Sequence, residues 1–153
     1  SYSKMYDIND FNIVRFHNIY GPRMGQEHVV CQFIIRFLKG ERPFKIFGGD
    51  ETRAFCFIDD ALEALDKITN SKMQKEIIHI GNDSEEVLIT DLAKIVFDIG
   101  GEEYNFNREP APAGSVKRRC PDIKKLKSLG IKKQISLRDG VKETFKWYKK
   151  NYE

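Results

Sequence analysis

The chain has 153 residues, 41% of them hydrophobic and 32% charged, with a formal net charge of +3. That balance fits one soluble globular domain or a large piece of one, and it excludes a disordered or membrane-embedded chain. The charge is too small to signal nucleic acid by itself, yet it is uneven: Lys117, Arg118, Arg119, Lys124, Lys125, Lys127, Lys132 and Lys133 crowd residues 117–133. Such a run is either a solvated helix face or an anion site. Cys31, Cys56 and Cys120 are odd in number and far apart, which fits neither a metal site nor a disulfide framework and reads as free thiols in a reducing compartment. No secretory leader is visible, and the longest apolar runs, such as residues 29–37, are too short to span a bilayer, so the cytoplasm is the expected location. The first residue is Ser1 rather than Met, and residues 2–6 read as the tail of a helix, as if the sequence were cut from something longer.

In chain order, Asn12-Ile13-Val14-Arg15-Phe16 is a β-branched and aromatic run that predicts a strand buried on both faces, with Tyr20-Gly21-Pro22 ending it as a loop. Val30, Phe33, Ile34, Phe37 and Leu38 recur at helical spacing, and Gly40 suits a C-cap. Residues 44–47 predict a short strand, Gly48-Gly49-Asp50 a turn, and residues 54–58 a further extended run. Asp59 and Asp60 open a helix to about Ile68, where carboxylates favour the positive end of the helix dipole. Residues 76–80 predict a strand, 89–99 an amphipathic helix closed by Gly100-Gly101, and 104–106 one more strand before a proline-containing loop at 109–114. Pro121 suits a first helical turn leading into 122–129. Ser136 and Asp139 resemble a capping box before the periodic Val141, Phe145 and Trp147. Interleaved strands and helices predict an α/β fold.

Four segments, in order, resemble the extended short-chain dehydrogenase/reductase family. Arg15-Phe16-His17-Asn18-Ile19-Tyr20-Gly21-Pro22-Arg23 is similar to the strand and Tyr-Gly-Pro-Arg loop of its nucleotide-sugar members. Residues 46–55 resemble the family's strand, glycine turn and Thr-Arg-x-Phe, and Phe57-Ile58-Asp59-Asp60 its following helix start. Arg118-Arg119-Cys120-Pro121-Asp122-Ile123-Lys124-Lys125 resembles the UDP-glucuronate decarboxylase-like branch, and residues 137–148 the terminal helix. The resemblance implies the C-terminal part of a Rossmann-type enzyme. The last sheet strands would lie in residues 1–26 and a small mixed α/β substrate-binding domain in 27–153, with the NAD-binding half absent. The family's Gly-x-x-Gly-x-x-Gly loop, which sets the cofactor pyrophosphate on a helix N-terminus, does not occur, nor does its Tyr-x-x-x-Lys pair.

The same resemblance implies that the intact parent is an NAD-dependent nucleotide-sugar epimerase, dehydratase or decarboxylase working through a transient keto-sugar, and a homodimer. This chain would hold no catalytic residue and be inactive alone. Phe16 would border the cofactor. Asn18, His28, Val29, Lys45, Phe47, Arg53, Arg118 and Arg119 would bind the nucleotide-sugar, with a UDP-sugar favoured. Bland readings stand beside these: a loop-bracing Asn18, core aromatics at Phe16 and Phe47, an exposed Arg53, and a solvated face for Lys124, Lys125 and Lys127. His17 is expected to turn away from the faces of Phe16 and Asn18 by strand alternation, and His17, His28 and His79 share no ligand spacing, so no metal is expected. A non-catalytic nucleotide-sugar-binding module and a nucleic-acid-binding module are the alternatives. The small net charge speaks against the second, and neither nucleic acid nor membrane is expected as a partner.

Overall fold

Phe44 and Ile46 alternate with Lys45 and Phe47, and this two-residue period makes a strand with the first pair buried and the second exposed. The same logic, with helical periods between, runs through the computed structural model, which describes residues 2–131 and 134–152, the side chain of Tyr2 excepted. Lys132 and Lys133 of the basic run lie outside the described residues. In order, the elements are α1 (Tyr2–Met5), β1 (Ile13–Phe16), β2 (Ile19–Tyr20), α2 (Val29–Leu38), β3 (Phe44–Phe47), β4 (Thr52–Ala54), β5 (Cys56–Phe57), α3 (Ile58–Thr69), β6 (Ile77–Ile80), β7 (Glu86–Leu88), α4 (Ile89–Gly100), β8 (Phe106–Glu109), β9 (Arg118–Arg119), α5 (Lys124–Ser128) and α6 (Leu137–Asn151).

The fold is α/β, as expected. Three parallel pairs, β1 with β6, β2 with β5 and β3 with β8, accompany a three-stranded sheet in which β4 runs antiparallel to β7 and parallel to β9. Parallel neighbours need crossover connections, which the helices supply. Two hydrophobic cores result. The larger joins α2, α4 and α6 through edge-to-face rings, with Phe97 5.1 Å from Phe37 and 5.3 Å from Phe44. The smaller packs Ile78 and Ile80 of β6 against α3 and α5, with Val14 and Ile19 at its margin. Residues on both sides of position 26 thus contribute to each core.

Several expectations need correction. β1 is not buried on both faces: among the described residues it pairs only with β6, leaving Ile13 and Phe16 exposed. Ile19 and Tyr20 form a short strand rather than a loop, because they pair with Cys56 and Phe57. The run at 54–58 divides, with Phe55 between β4 and β5 and Ile58 already helical. The strand expected at 104–106 lies at 106–109, in register with β3. Pro121 precedes the helix, which starts at Lys124 after the Ile123 cap, so it is not in the first turn. β7 and β9 carry too few apolar residues to announce themselves. Ser136 caps α6 by accepting from the Asp139 N–H at 3.2 Å. The box is incomplete, since Asp139 accepts from the Ser136 hydroxyl and the neighbouring N–H groups of Ile135 and Leu137 go instead to Asp60 and Glu85. Among the described residues no helix is long and apolar enough to cross a membrane.

Tyr20 is the bolt between the β2–β5 pair and the last helix. Its ring meets Phe55 and Phe57 edge on, and its hydroxyl donates to the Leu137 carbonyl at 3.2 Å. Gly140 makes this approach available, because a Cβ there would collide with the Tyr20 hydroxyl and the Phe57 ring. In a free helix Gly→Ala stabilises by up to about 1 kcal/mol. Here overpacking wins, and Gly140→Ala is expected to destabilise by about 1–3 kcal/mol in urea unfolding. Combining it with Tyr20→Phe recovers part of that loss.

Candidate functional site

Parallel pairing of β4 with β9 sets Thr52 opposite Arg118 and Arg53 opposite Arg119. The two rungs differ in how their charges are met. On the first, the Glu86 carboxylate from β7 accepts from the Thr52 hydroxyl and from Arg118, the latter at 2.7 Å. These bonds lower the Glu86 pKa, the Thr52 hydroxyl contributing most. On the second, two guanidiniums face each other. Arg53 Nη1 donates to the Thr52 carbonyl at 2.7 Å and to the Lys117 carbonyl at 3.4 Å, which fixes its head beside β9. Burial first, then the Arg119 cation, lower the Arg53 pKa, with Glu51 opposing. No described carboxylate forms an ion pair with Arg119 or Arg53.

Arg118 and Arg119 line an open groove of about 520 Å³ together with Phe16, His17, Asn18 and Cys120. Asn18 explains why three consecutive residues reach one groove. Its φ is +45°, in the left-handed region that Asn tolerates better than most side chains, and this bends the chain just after His17. His17 keeps the Arg15 face of β1, as alternation implies, because its ring meets His79, the register partner of Arg15; it still lines the groove at the strand end beside Phe16 and Asn18. The Asn18 amide donates to the Ala54 carbonyl at 2.8 Å, so the loop-bracing role is present and ties the end of β1 to β4. Phe16, 57% exposed, is not a core residue.

Lys45 and Phe47 lie on the outer face of β3, where Phe47 is 56% exposed, which removes the buried-aromatic reading. Phe47 pairs in register with Glu109 and precedes Gly48. Both lining residues belong to a second groove of about 690 Å³, with Asp50, Glu51, Arg108, Pro110, Ala111 and Lys117. Arg53 stands between the two grooves, bonded to the Lys117 carbonyl and beside Arg119. His28 and Val29 stand apart from both. His28 is the N-cap of α2, half-buried with its ring edge toward Phe55 at 6.3 Å and an enclosed Nδ1 without a partner; burial lowers its pKa. In the basic run, Lys124, Lys125 and Lys127 reach Asp122, Glu76 and Asp83 in solvated pairs, as the bland reading had it.

Spacing gave no sign of two further features. His17 and His79 meet across β1 and β6, Nε2 to Nδ1 at 2.7 Å, although 62 positions separate them. Arg108 pairs with Asp50 at 2.6 Å beside the glycine turn. Among the described residues no group of three or more His, Cys, Asp or Glu is placed to hold a metal. The two glycine pairs are also no dinucleotide cradle. Gly49 N–H is taken by the Glu51 carboxylate at 2.7 Å and a Cβ on Gly48 would strike that carboxylate, while Gly101 closes α4 in the left-handed conformation. Neither glycine pair thus offers a backbone cradle for a dinucleotide pyrophosphate, and no reaction step through such a cofactor follows from the described residues.

Known proteins share this fold. A family model described as the NAD dependent epimerase/dehydratase family matches residues 1–81. The UDP-glucuronate 4-epimerase of Thermodesulfobacterium geofontis is 32% identical over 100% of this chain and 47% of its own length. The GDP-mannose 3,5-epimerase of Arabidopsis thaliana is 32% identical over 99% of this chain and 41% of its own length. Among solved structures, the Bacillus cereus UDP-glucuronic acid 4-epimerase in complex with UDP-glucuronic acid and NAD superposes with a TM-score of 0.88 at 28% identity, over 99% of this chain and 48% of that one. The chain spans about half the length of the relatives it matches or less. With a matched family model over more than half its residues and curated relatives above 30% identity along its whole length, this chain belongs to the NAD dependent epimerase/dehydratase family.

Proposed function

We propose that this chain is the nucleotide-sugar-binding portion of an NAD-dependent sugar-nucleotide epimerase, dehydratase or decarboxylase, with a UDP-sugar as the favoured ligand. The observation that carries the reading is the pair Arg53 and Arg119, two arginines set on one rung of which neither forms an ion pair with a described carboxylate. Like charges set opposite each other across a sheet are destabilising, and an anion between them removes the repulsion. Guanidinium suits a diphosphate, since its planar fork gives two parallel charge-assisted bonds. Arg118, already tied to Glu86, acts as a brace, so Arg119 is the ligand-facing member of the two. Asn18 spends one amide N–H on Ala54 and keeps the second for a phosphate or sugar oxygen. Phe47 and Lys45 border the base beside the second groove, His28 and Val29 add contacts at the helix start, and Phe16 offers an exposed ring toward the cofactor.

NAD supplies the hydride acceptor of this family's chemistry. What these residues contribute is position: a diphosphate clamped at Arg53 and Arg119 fixes where the sugar ring lies, and such orientation lowers a barrier without any proton moving in this chain. The division into the end of a Rossmann-type domain at residues 1–26 and a substrate-binding part at 27–153, and a homodimeric parent, belong to the same reading. No Tyr in the sequence has a Lys four residues on, so the chain alone is expected to turn over no sugar nucleotide. Detection of any epimerised, dehydrated or decarboxylated product with added NAD contradicts that.

The test is calorimetric titration with UDP-glucose, UDP-glucuronate and GDP-mannose. Charge-assisted bonds contribute roughly 1.5–3 kcal/mol each, so Arg119→Ala and Arg53→Ala should each weaken binding about tenfold or more. Arg118→Ala should weaken it less. Arg53→Ala and Arg119→Ala variants that bind like the parent chain contradict the assignment.

A further inference from the structure

His17 and His79 are half-buried neighbours on the parallel β1–β6 pair, and His17 N–H donates to the Ile80 carbonyl at 2.9 Å. Their ring planes are 14° apart, the centroids 4.7 Å apart and the facing nitrogens 2.7 Å apart. Rings piled face to face cannot bring two nitrogens inside van der Waals contact. The rings therefore lie nearly coplanar, edge to edge, with an N–H of one donated to the lone pair of the other. Such a pair accepts one more proton readily, because an imidazolium donating to a neutral imidazole makes a charge-assisted bond. It resists a second, which would set two cations in contact.

The pair joins two grooves. His17 lines the one with Phe16, Asn18, Arg118, Arg119 and Cys120; His79 lines another with Arg15, Ile77, Asp122, Lys124 and Lys125. The carboxylates nearby are engaged: Glu86 with Arg118, Asp122 with Lys124, Glu76 with Lys125 and Asp83 with Lys127. Burial, then His79 and Arg15, hold the His17 pKa below its ordinary value. With the groove empty Arg15 and His79 disfavour a proton on His17, while Asp122 lies on the His79 side; a dianion beside Asn18 and Arg119 adds a field that favours the proton.

We propose that the His17–His79 pair is a third cationic element of the anion groove, sharing a proton that it takes up from solvent in greater measure when a diphosphate binds. This rests on the diphosphate reading of the groove. The sign follows from linkage: a group whose pKa is higher in the complex makes binding tighter as pH falls through the complex's pKa, with the gain complete below the pKa of the free chain.

UDP-glucose is the probe, since its doubly esterified diphosphate stays a dianion through the range of interest. Calorimetry in two buffers of different ionisation enthalpy, at about pH 6.5, reads proton uptake directly. The expected result is net uptake of a fraction of one proton and an affinity about 3- to 10-fold higher near pH 5.5 than near pH 7.5. Both effects should vanish in His79→Gln. Imidazole 15N spectra of the unaltered chain provide a reading that needs no variant: at fixed pH, UDP-glucose should move one pair of ring nitrogens toward the imidazolium pattern. Binding without proton uptake, with unchanged ring spectra, or with uptake retained in His79→Gln overturns the inference and leaves the diphosphate reading standing. No binding of UDP-glucose at any pH overturns both.

Discussion

The register of β4 against β9 is the constraint on which the site depends. It forces Arg53 and Arg119 onto one rung, and among the described residues no side chain of the neighbouring strands forms an ion pair with them. Glu86 of β7 sits a rung away and is spent on Thr52 and Arg118, and Glu51, just before β4, acts on Arg53 without an ion pair among the described residues. Cross-strand charge pairs change stability by roughly 0.2–1 kcal/mol, so a fold can carry this cost if something else uses the arrangement. The two backbone carbonyls that hold the Arg53 head fix it before a ligand arrives. Groups ordered in advance lose less freedom on binding, which favours affinity.

The two cores determine what that rung faces. The larger one, built on interlocking Phe rings between α2, α4 and α6, holds β3 and the short β2–β5 link. The smaller one holds β6 and the helices α3 and α5 that flank it. The groove opens where the end of β1 meets β9, and the Asn18 amide bonded to Ala54 joins the two sides. Tyr20, buried between Phe55 and Phe57 and tied to Leu137, stiffens the same corner from beneath.

Much of this was legible in the sequence. The α2, α4 and α6 helices lie where periodicity puts them, because each has a clear apolar face against a core, and α3, β3 and β6 lie where the carboxylates of Asp59 and Asp60 and the short apolar runs put them. Short strands without such a face were not legible: β7 carries Glu86-Val87-Leu88 and β9 only Arg118-Arg119, and pairing with β4 rather than propensity makes them extended. The burial of β1 was overestimated because its run of Ile, Val and Phe says nothing about how many neighbours it has. Asn18, Arg118 and Arg119 could be singled out through their motifs, but the brace on Arg118 and the like-charge partner of Arg119 are products of register. The His17–His79 contact, across 62 positions, has no local signal at all.

The most direct measurement is a crystal structure of this chain with UDP-glucose. The expected result has the diphosphate oxygens within hydrogen-bonding distance of both the Arg53 and Arg119 guanidiniums, with the Asn18 amide turned toward the same groove and Arg118 still on Glu86. A diphosphate bound elsewhere, for example at Arg108 and Lys117 with the Arg53–Arg119 rung left unoccupied, contradicts it.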